Sequence, residues 1–345
     1  MFGTKEFNPL NDIVDLKGKV VIVTGGNRGT GYATIQHLLR GGAKVYMGAR
    51  NEKKAQEAIE ELKKDESWKD KGGEVLWLKL DLSDPREAKK AAEDFLTKEK
   101  RLDIIVNNAA LQPFMSETPL EKTADGPSNV VVVKFVYPAY PAEAILMALL
   151  DSYISPFIFT ETLLPLLTST ALTEPDSDVR IVNLTSILHK ITPSSTQFKE
   201  VDDFYIDYKG KFMAGFRQYS HSKLLEVLWT KHLQKRLDTS DPAVPITVIS
   251  IHPGGVDTFS HKWPVAWLMT PIVRLAIKDA ERGSYTSVFA AASKVVREAR
   301  DRYKGAYLES SPVGRIATAS AMADDPEKAE ELYTLTRKFL GGIGL

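Results

Sequence analysis

Tyr219 and Lys223 stand four residues apart in Tyr-Ser-His-Ser-Lys. On a helix that spacing puts both on one face, so the ammonium lies near the phenol. It can then lower the phenol's pKa from about 10 toward the working range of a proton donor. A Tyr-x-x-x-Lys pair is common by chance; the order of the other polar stretches along the chain gives this one weight. Upstream, Thr24-Gly-Gly-Asn-Arg-Gly-Thr-Gly31 sets Gly25, Gly29 and Gly31 where backbone N–H groups and a helix start can receive a pyrophosphate. Arg28 and Thr30 lie within the same turn. The spacing is GxxxGxG and not GxGxxG, and a glycine run alone is as readily only a turn. Next comes Asp81 in Leu80-Asp-Leu-Ser83, which can accept from an exocyclic amine or serve with Ser83 as a helix cap. Asn108, in Asn107-Asn-Ala-Ala110, can be a ligand or an amide that ties strands together. Ser186 in Leu184-Thr-Ser offers a hydroxyl at a cleft or a loop cap, and His252-Pro253-Gly254-Gly255 closes the series.

Each stretch needs an element to carry it. Val20 to Val23 is a short β-branched run that reads as a buried parallel strand, and Tyr32 to Arg40 has the apolar spacing of a helix. Gly41-Gly42 ends that helix before a second strand, Lys44 to Met47. The alternation continues with helices over 51–64, 85–98, 157–167, 219–237 and 285–300. Strands fall over 74–80, 104–106, 180–184, 246–251 and 306–308. The expected architecture is α/β: a Rossmann-like, doubly wound parallel sheet with helices on both faces, in a single domain. Ligands bind such a sheet at the carboxyl ends of its strands, where all the chemistry-bearing stretches fall.

Composition narrows the field. The chain has 345 residues, and 45 Lys+Arg balance 45 Asp+Glu, so no basic stripe points to a nucleic-acid partner. With no cysteine there is neither a disulfide nor a thiolate nucleophile or metal ligand. The six histidines include no metal-spaced pair on one helix face, so no metal is expected. The first nineteen residues lack an apolar h-region, which argues against a secretory signal and for a cytoplasmic location.

In this order the motifs resemble the short-chain dehydrogenase/reductase family, from about Lys17 to the C-terminal helix. Thr24, Gly25, Gly29 and Gly31 match its glycine motif, and Asn107 to Ala110 matches its Asn-Asn-Ala-Gly motif with Ala for Gly. Ser186, Tyr219 and Lys223 match its catalytic residues, and Pro253-Gly254 its Pro-Gly motif. The resemblance implies hydride transfer at C4 of a nicotinamide, with Tyr219 moving the proton, Ser186 holding the substrate oxygen, and Lys223 lowering the Tyr219 pKa and binding the ribose. It also implies cofactor contacts from Gly25, Arg28, Gly29, Thr30, Gly31, Arg50, Asp81, Asn108, Pro253 and Gly254, with Thr258 on the carboxamide. The segment 204–216 and the tail Gly314-Arg315-Ile316 look most like the retinol dehydrogenase-like branch and its fungal relatives. The second strand ends Met47-Gly-Ala-Arg50 with no acid, so Arg28 and Arg50 can face a 2′-phosphate. The expected cofactor is therefore NADP(H) rather than NAD(H).

Two segments lie outside this pattern. WPVAWLMTPIVRLAI, over 263–277, falls where the family keeps a substrate lid, near 258–280. It suggests a lipophilic carbonyl or alcohol substrate or a membrane surface, or else packing on the domain or on another copy in a homo-oligomer. Tyr153-Ile-Ser-Pro-Phe157 matches the end of a family helix motif, but Ser152 precedes it where the family's fourth catalytic residue, Asn, is expected. The apolar stretch before it, interrupted by Pro138 and Pro141, fits neither neighbour. Residues 131–152 are expected to be an insertion or translated intron packed loosely outside the core. Two functions follow: an NADP(H)-dependent oxidoreductase, or a catalytically impaired nucleotide-binding or interaction protein.

Overall fold

The computed structural model describes residues 6–110, 149–174, 177–204, 214–254 and 280–345. Its centre is one eight-stranded sheet in the order β3-β2-β1-β4-β5-β6-β7-β8. The strands are β1 (Val20–Thr24), β2 (Lys44–Ala49), β3 (Glu74–Lys79), β4 (Ile104–Asn107), β5 (Val179–Leu184), β6 (Ile246–Ile251), β7 (Tyr307–Ser310) and β8 (Val313–Ile316). All pairings are parallel except β7 with β8. The chain reverses between β1 and β4, and that crevice is where a doubly wound sheet receives a dinucleotide.

Alternate residues of each strand feed two cores. On β1, Val20 and Ile22 face one side and Val21 and Val23 the other, as the period of a strand requires. The first side is covered by α3 (Pro85–Lys98), α4 (Ser155–Thr173), α5 (Ala214–Asp238) and α9 (Pro326–Gly342). The second is covered by α1 (Gly29–Arg40), α2 (Glu52–Lys64) and α6 (Ala280–Ala292), followed by the short α7 (Lys294–Glu298) and α8 (Arg300–Tyr303). The expected doubly wound α/β architecture is therefore the observed one.

Three local differences have physical causes. The helix expected over 285–300 begins at Ala280 and breaks at Ser293, whose hydroxyl accepts from Val295 N and whose backbone bridges Ile13. Strand β8 and its antiparallel pairing were not expected, because four residues with one buried position carry no alternation. Of the stretch 131–152, residues 131–148 lie outside the described ones. Leu149, Leu150 and Ser152, however, are buried in the core, and a π turn, Leu150–Ile154, leads into α4. The last residues of that stretch are thus core and not a loose excursion. The lid region up to 279 and the segment 205–213 also lie outside. No helix among the described residues is long and apolar enough to cross a membrane.

Candidate active site

The glycine turn joins β1 to α1 and is braced by Asn108. The Asn108 amide donates to Thr24 O at 2.9 Å, and Thr24 Oγ1 accepts the N–H groups of Asn108 and Ala109 at 3.0 and 2.9 Å. Gly25 has φ +65°, and its N–H donates to Gly48 O at 2.8 Å. A Cβ on Gly31 would stand 2.5 Å from both Asn108 Nδ2 and Gly25 O, so no larger residue fits without moving the turn. Asn108 thus ties the end of β4 to the glycine turn.

Helix α1 starts with no side-chain cap at Arg28 and no acid in its first turn. Its first N–H groups and the positive end of its dipole are thus offered to an anion. Arg28 and Arg50 are both exposed, and among the described residues neither is in an ion pair. Arg50 lies just past β2, and it is Asn51 that caps α2, accepting from Lys54 N at 2.9 Å. Asp81 is not a helix cap either: Oδ1 accepts from Ser83 N and Ser83 Oγ at 3.0 and 2.6 Å, while Asp84 caps α3. Pro253 and Gly254 follow β6, Gly254 with φ +93°, and Thr258 lies outside the described residues.

The other half of the crevice is organised by α5 and the end of β5. Lys223 is 1% exposed; its Nζ donates to Leu184 O and to Glu226 Oε1, both at 2.9 Å. The same Nζ lies 5.6 Å from the centre of the Tyr219 ring. Thr185 Oγ1 donates to Lys223 O at 2.6 Å, which ties the residue next to Ser186 to this turn of α5. Ser186 is 7% exposed, and its hydroxyl accepts from Leu188 N at 3.2 Å as the cap of a short 3-10 turn, Ile187–Ile191. The structure thus gathers Ser186, Tyr219 and Lys223 at the carboxyl end of β5.

Burial alone would lower the Lys223 pKa, but the Glu226 carboxylate and then Tyr219 outweigh it and hold the ammonium charged. Burial pushes Glu226 up, to about 7, against the opposing pull of Lys223. Two contributors escaped the sequence reading. Glu226 lies three residues beyond Lys223, the spacing of a helical ion pair, and that signal could have found it. His189 could not have been found: its Nδ1 lies 2.7 Å from Ser186 O and its Nε2 3.3 Å from Ser320 N. Since Ser320 N–H must donate, Nδ1 carries the proton, and burial foremost lowers the pKa of this ring.

Behind the site, Asn107 Nδ2 donates to Asn183 Oδ1 at 2.8 Å and to Thr160 Oγ1 at 3.2 Å, and Asn183 Nδ2 to Thr230 Oγ1 at 2.9 Å. This amide ladder fixes β4, β5 and α5 together. Ser152 Oγ, 1% exposed, has no hydrogen-bond partner among the described residues.

Comparison with known proteins decides the family. A short-chain dehydrogenase/reductase of Armillaria gallica is 38% identical over 331 residues, covering 94% of this chain and 94% of the relative. The chain belongs to the short-chain dehydrogenase/reductase family. The family model described as short chain dehydrogenase matches residues 19–133 of this oxidoreductase. Human retinol dehydrogenase 12 is 31% identical over 333 residues, covering 95% of this chain and 88% of that protein, so the retinol dehydrogenase-like branch holds. A crystal structure of a Mycobacterium paratuberculosis protein shares the fold of this dehydrogenase/reductase, with TM-score 0.64, 21% identity and 97% of each chain covered.

Proposed function

We propose that this dehydrogenase/reductase interconverts a lipophilic carbonyl and its alcohol with NADP(H). The observation that carries the reading is the buried Lys223 ammonium, hydrogen-bonded to the last residue of β5 and facing the Tyr219 ring on the same helix. When bound, the nicotinamide supplies the hydride. Tyr219 gives a proton to the carbonyl oxygen in reduction and takes it back in oxidation. Ser186 holds that oxygen by a hydrogen bond, and Lys223 keeps the phenol acidic and offers a donor to the ribose. The site residues fit the cofactor on three counts: a glycine turn that a Cβ would fill, an uncapped helix start, and two exposed arginines without ion-pair partners among the described residues. A 2′-phosphate favours those arginines, and Gly48-Ala49-Arg50, at and just past the end of β2, carries no acid to repel it. The branch's retinol dehydrogenases favour a lipophilic substrate.

Replacing Tyr219 by Phe removes the proton donor and leaves the helix face intact. The expected result is a kcat lower by about 10²- to 10⁴-fold with NADPH and a panel of lipophilic aldehydes, while NADPH binding measured by fluorescence is unchanged. A retained kcat overturns the reading. Ser152 favours a second reading, a protein that binds the cofactor without turnover, because a hydroxyl without a partner stands where an amide is expected. Binding without turnover across the panel selects it.

A further inference from the structure

An ammonium has three N–H donors, and two of those on Lys223 are committed to Leu184 O and Glu226 Oε1. One remains for Tyr219 or a cofactor hydroxyl. Glu226 is itself 4% exposed, and its second oxygen, Oε2, has no hydrogen-bond partner among the described residues. Burying a carboxylate costs free energy that a structural role could avoid by using an apolar residue, so the charge at this position has a consequence for its neighbour.

We propose that Glu226 is a positioning residue for the proton-transfer site. It holds Lys223 between the end of β5 and Tyr219 and, when ionised, cancels the charge that makes Tyr219 acidic. The inference rests on the assignment of Tyr219 and Lys223 above. Lys223 on the same helix faces Glu226 and is itself bonded to the Leu184 carbonyl of β5; among the described residues Lys223 is the charged group that acts on Glu226. Burial raises the Glu226 pKa to about 7, so the carboxyl changes charge near neutrality. Below that pH Glu226 is neutral; Lys223, still held by the Leu184 carbonyl and drawn by Tyr219, stays charged and uncompensated, and Tyr219 is at its most acidic. Above it the pair is compensated and Tyr219 is a weaker acid.

Glu226→Gln keeps the size and the acceptor oxygen while fixing the neutral state at every pH. The test is a spectrophotometric titration of the Tyr219 phenol, with Tyr219→Phe subtracted in each background so that the other tyrosines cancel. Tyr219 is expected to titrate about one pH unit lower in Glu226→Gln than in the parent protein. In a Lys223→Gln background, Glu226 has lost its cation and burial keeps it neutral, so adding Glu226→Gln should leave the midpoint where it is. That second arm separates action through Lys223 from a general disturbance of the fold. Glu226→Met, neutral and of similar volume, should give the same drop if Gln disturbs folding. Equal midpoints, no Tyr219 titration in either protein, or an equal drop without Lys223 overturn the inference. The titration needs no substrate, so its failure is distinct from that of the site assignment, which a retained kcat in Tyr219→Phe would show.

Discussion

The two halves of the crevice are built on different terms. Around the glycine turn, the polar groups of Thr24, Gly25 and Asn108 bond to one another, and the walls are tight enough that a single methyl on Gly31 would collide. On α5 and at the start of α4, by contrast, buried polar atoms have no partner among the described residues: Ser152 Oγ, Ser155 Oγ, Glu226 Oε2 and Trp229 Nε1. On the proposed function, the first half would have only to receive an anion of fixed shape, and rigidity would serve it. The second would move a proton, and a carboxyl and an ammonium whose charge states depend on each other would give it something to adjust.

The contrast can be broken first at the turn. Gly31→Val should weaken NADPH binding by about 2–3 kcal/mol, because backbone and the Asn108 amide must both give way. Fluorescence titration beside circular dichroism reads this, and unchanged affinity in a folded variant would mean that the turn is not where the cofactor sits. Next in size is a pH effect outside the catalytic half. His37, 2% exposed on α1, has no hydrogen-bond partner among the described residues for either ring nitrogen, and burial foremost lowers its pKa to about 4. Because the folded pKa lies below the unfolded value of about 6.5, the unfolded chain binds the extra proton in between. This contribution is therefore complete above pH 6.5 and is lost as pH falls toward 4. Urea unfolding at pH 7 and pH 4 should show a loss that His37→Phe reduces by about 2–3 kcal/mol. The same loss in both proteins would assign the acid sensitivity to the catalytic half.

Arg50→Asp tests the charge of the cofactor half. It should move the preference from NADP(H) toward NAD(H) by about 1–3 kcal/mol, read as a ratio of dissociation constants. An unchanged ratio means that Arg50 faces elsewhere. The smallest effect is expected from Asn108→Ala, which leaves Thr24 O without its 2.9 Å donor and should cost about 1 kcal/mol of stability by denaturant unfolding. A loss of turnover with no loss of stability would instead give Asn108 a place in the chemistry.

What the sequence disclosed follows the same division. Strands β1, β2, β4, β5 and β6 are largely apolar or β-branched runs buried on both faces, and that pattern survives in one dimension. Tyr219 and Lys223 were legible because a helix converts four residues of spacing into one face. Asp81 and Asp84 sit too close in sequence for propensity to say which caps α3, and only the hydrogen bonds decide it. The Ser293 break was hidden because it depends on an N-terminal residue, Ile13, pairing far along the chain. His189 joins the loop after β5 to Ser320, 131 residues away, a contact that no local pattern encodes.

The π turn at Leu150–Ile154 bears on how the length of this chain can drift. A turn closed five residues back holds one residue more than an α turn does, so it can take up a single-residue change without rotating the helix that follows. In α4, Phe157, Leu163 and Leu167 must all face the core. In an unbroken α-helix, a residue gained or lost upstream would swing them by about a quarter turn. With the slack placed ahead of Ser155, the segment leading into α4 can lengthen or shorten over generations while the phase of the buried face is kept. In alignments, gaps before Leu149 should therefore be tolerated, and gaps after Ser155 should not.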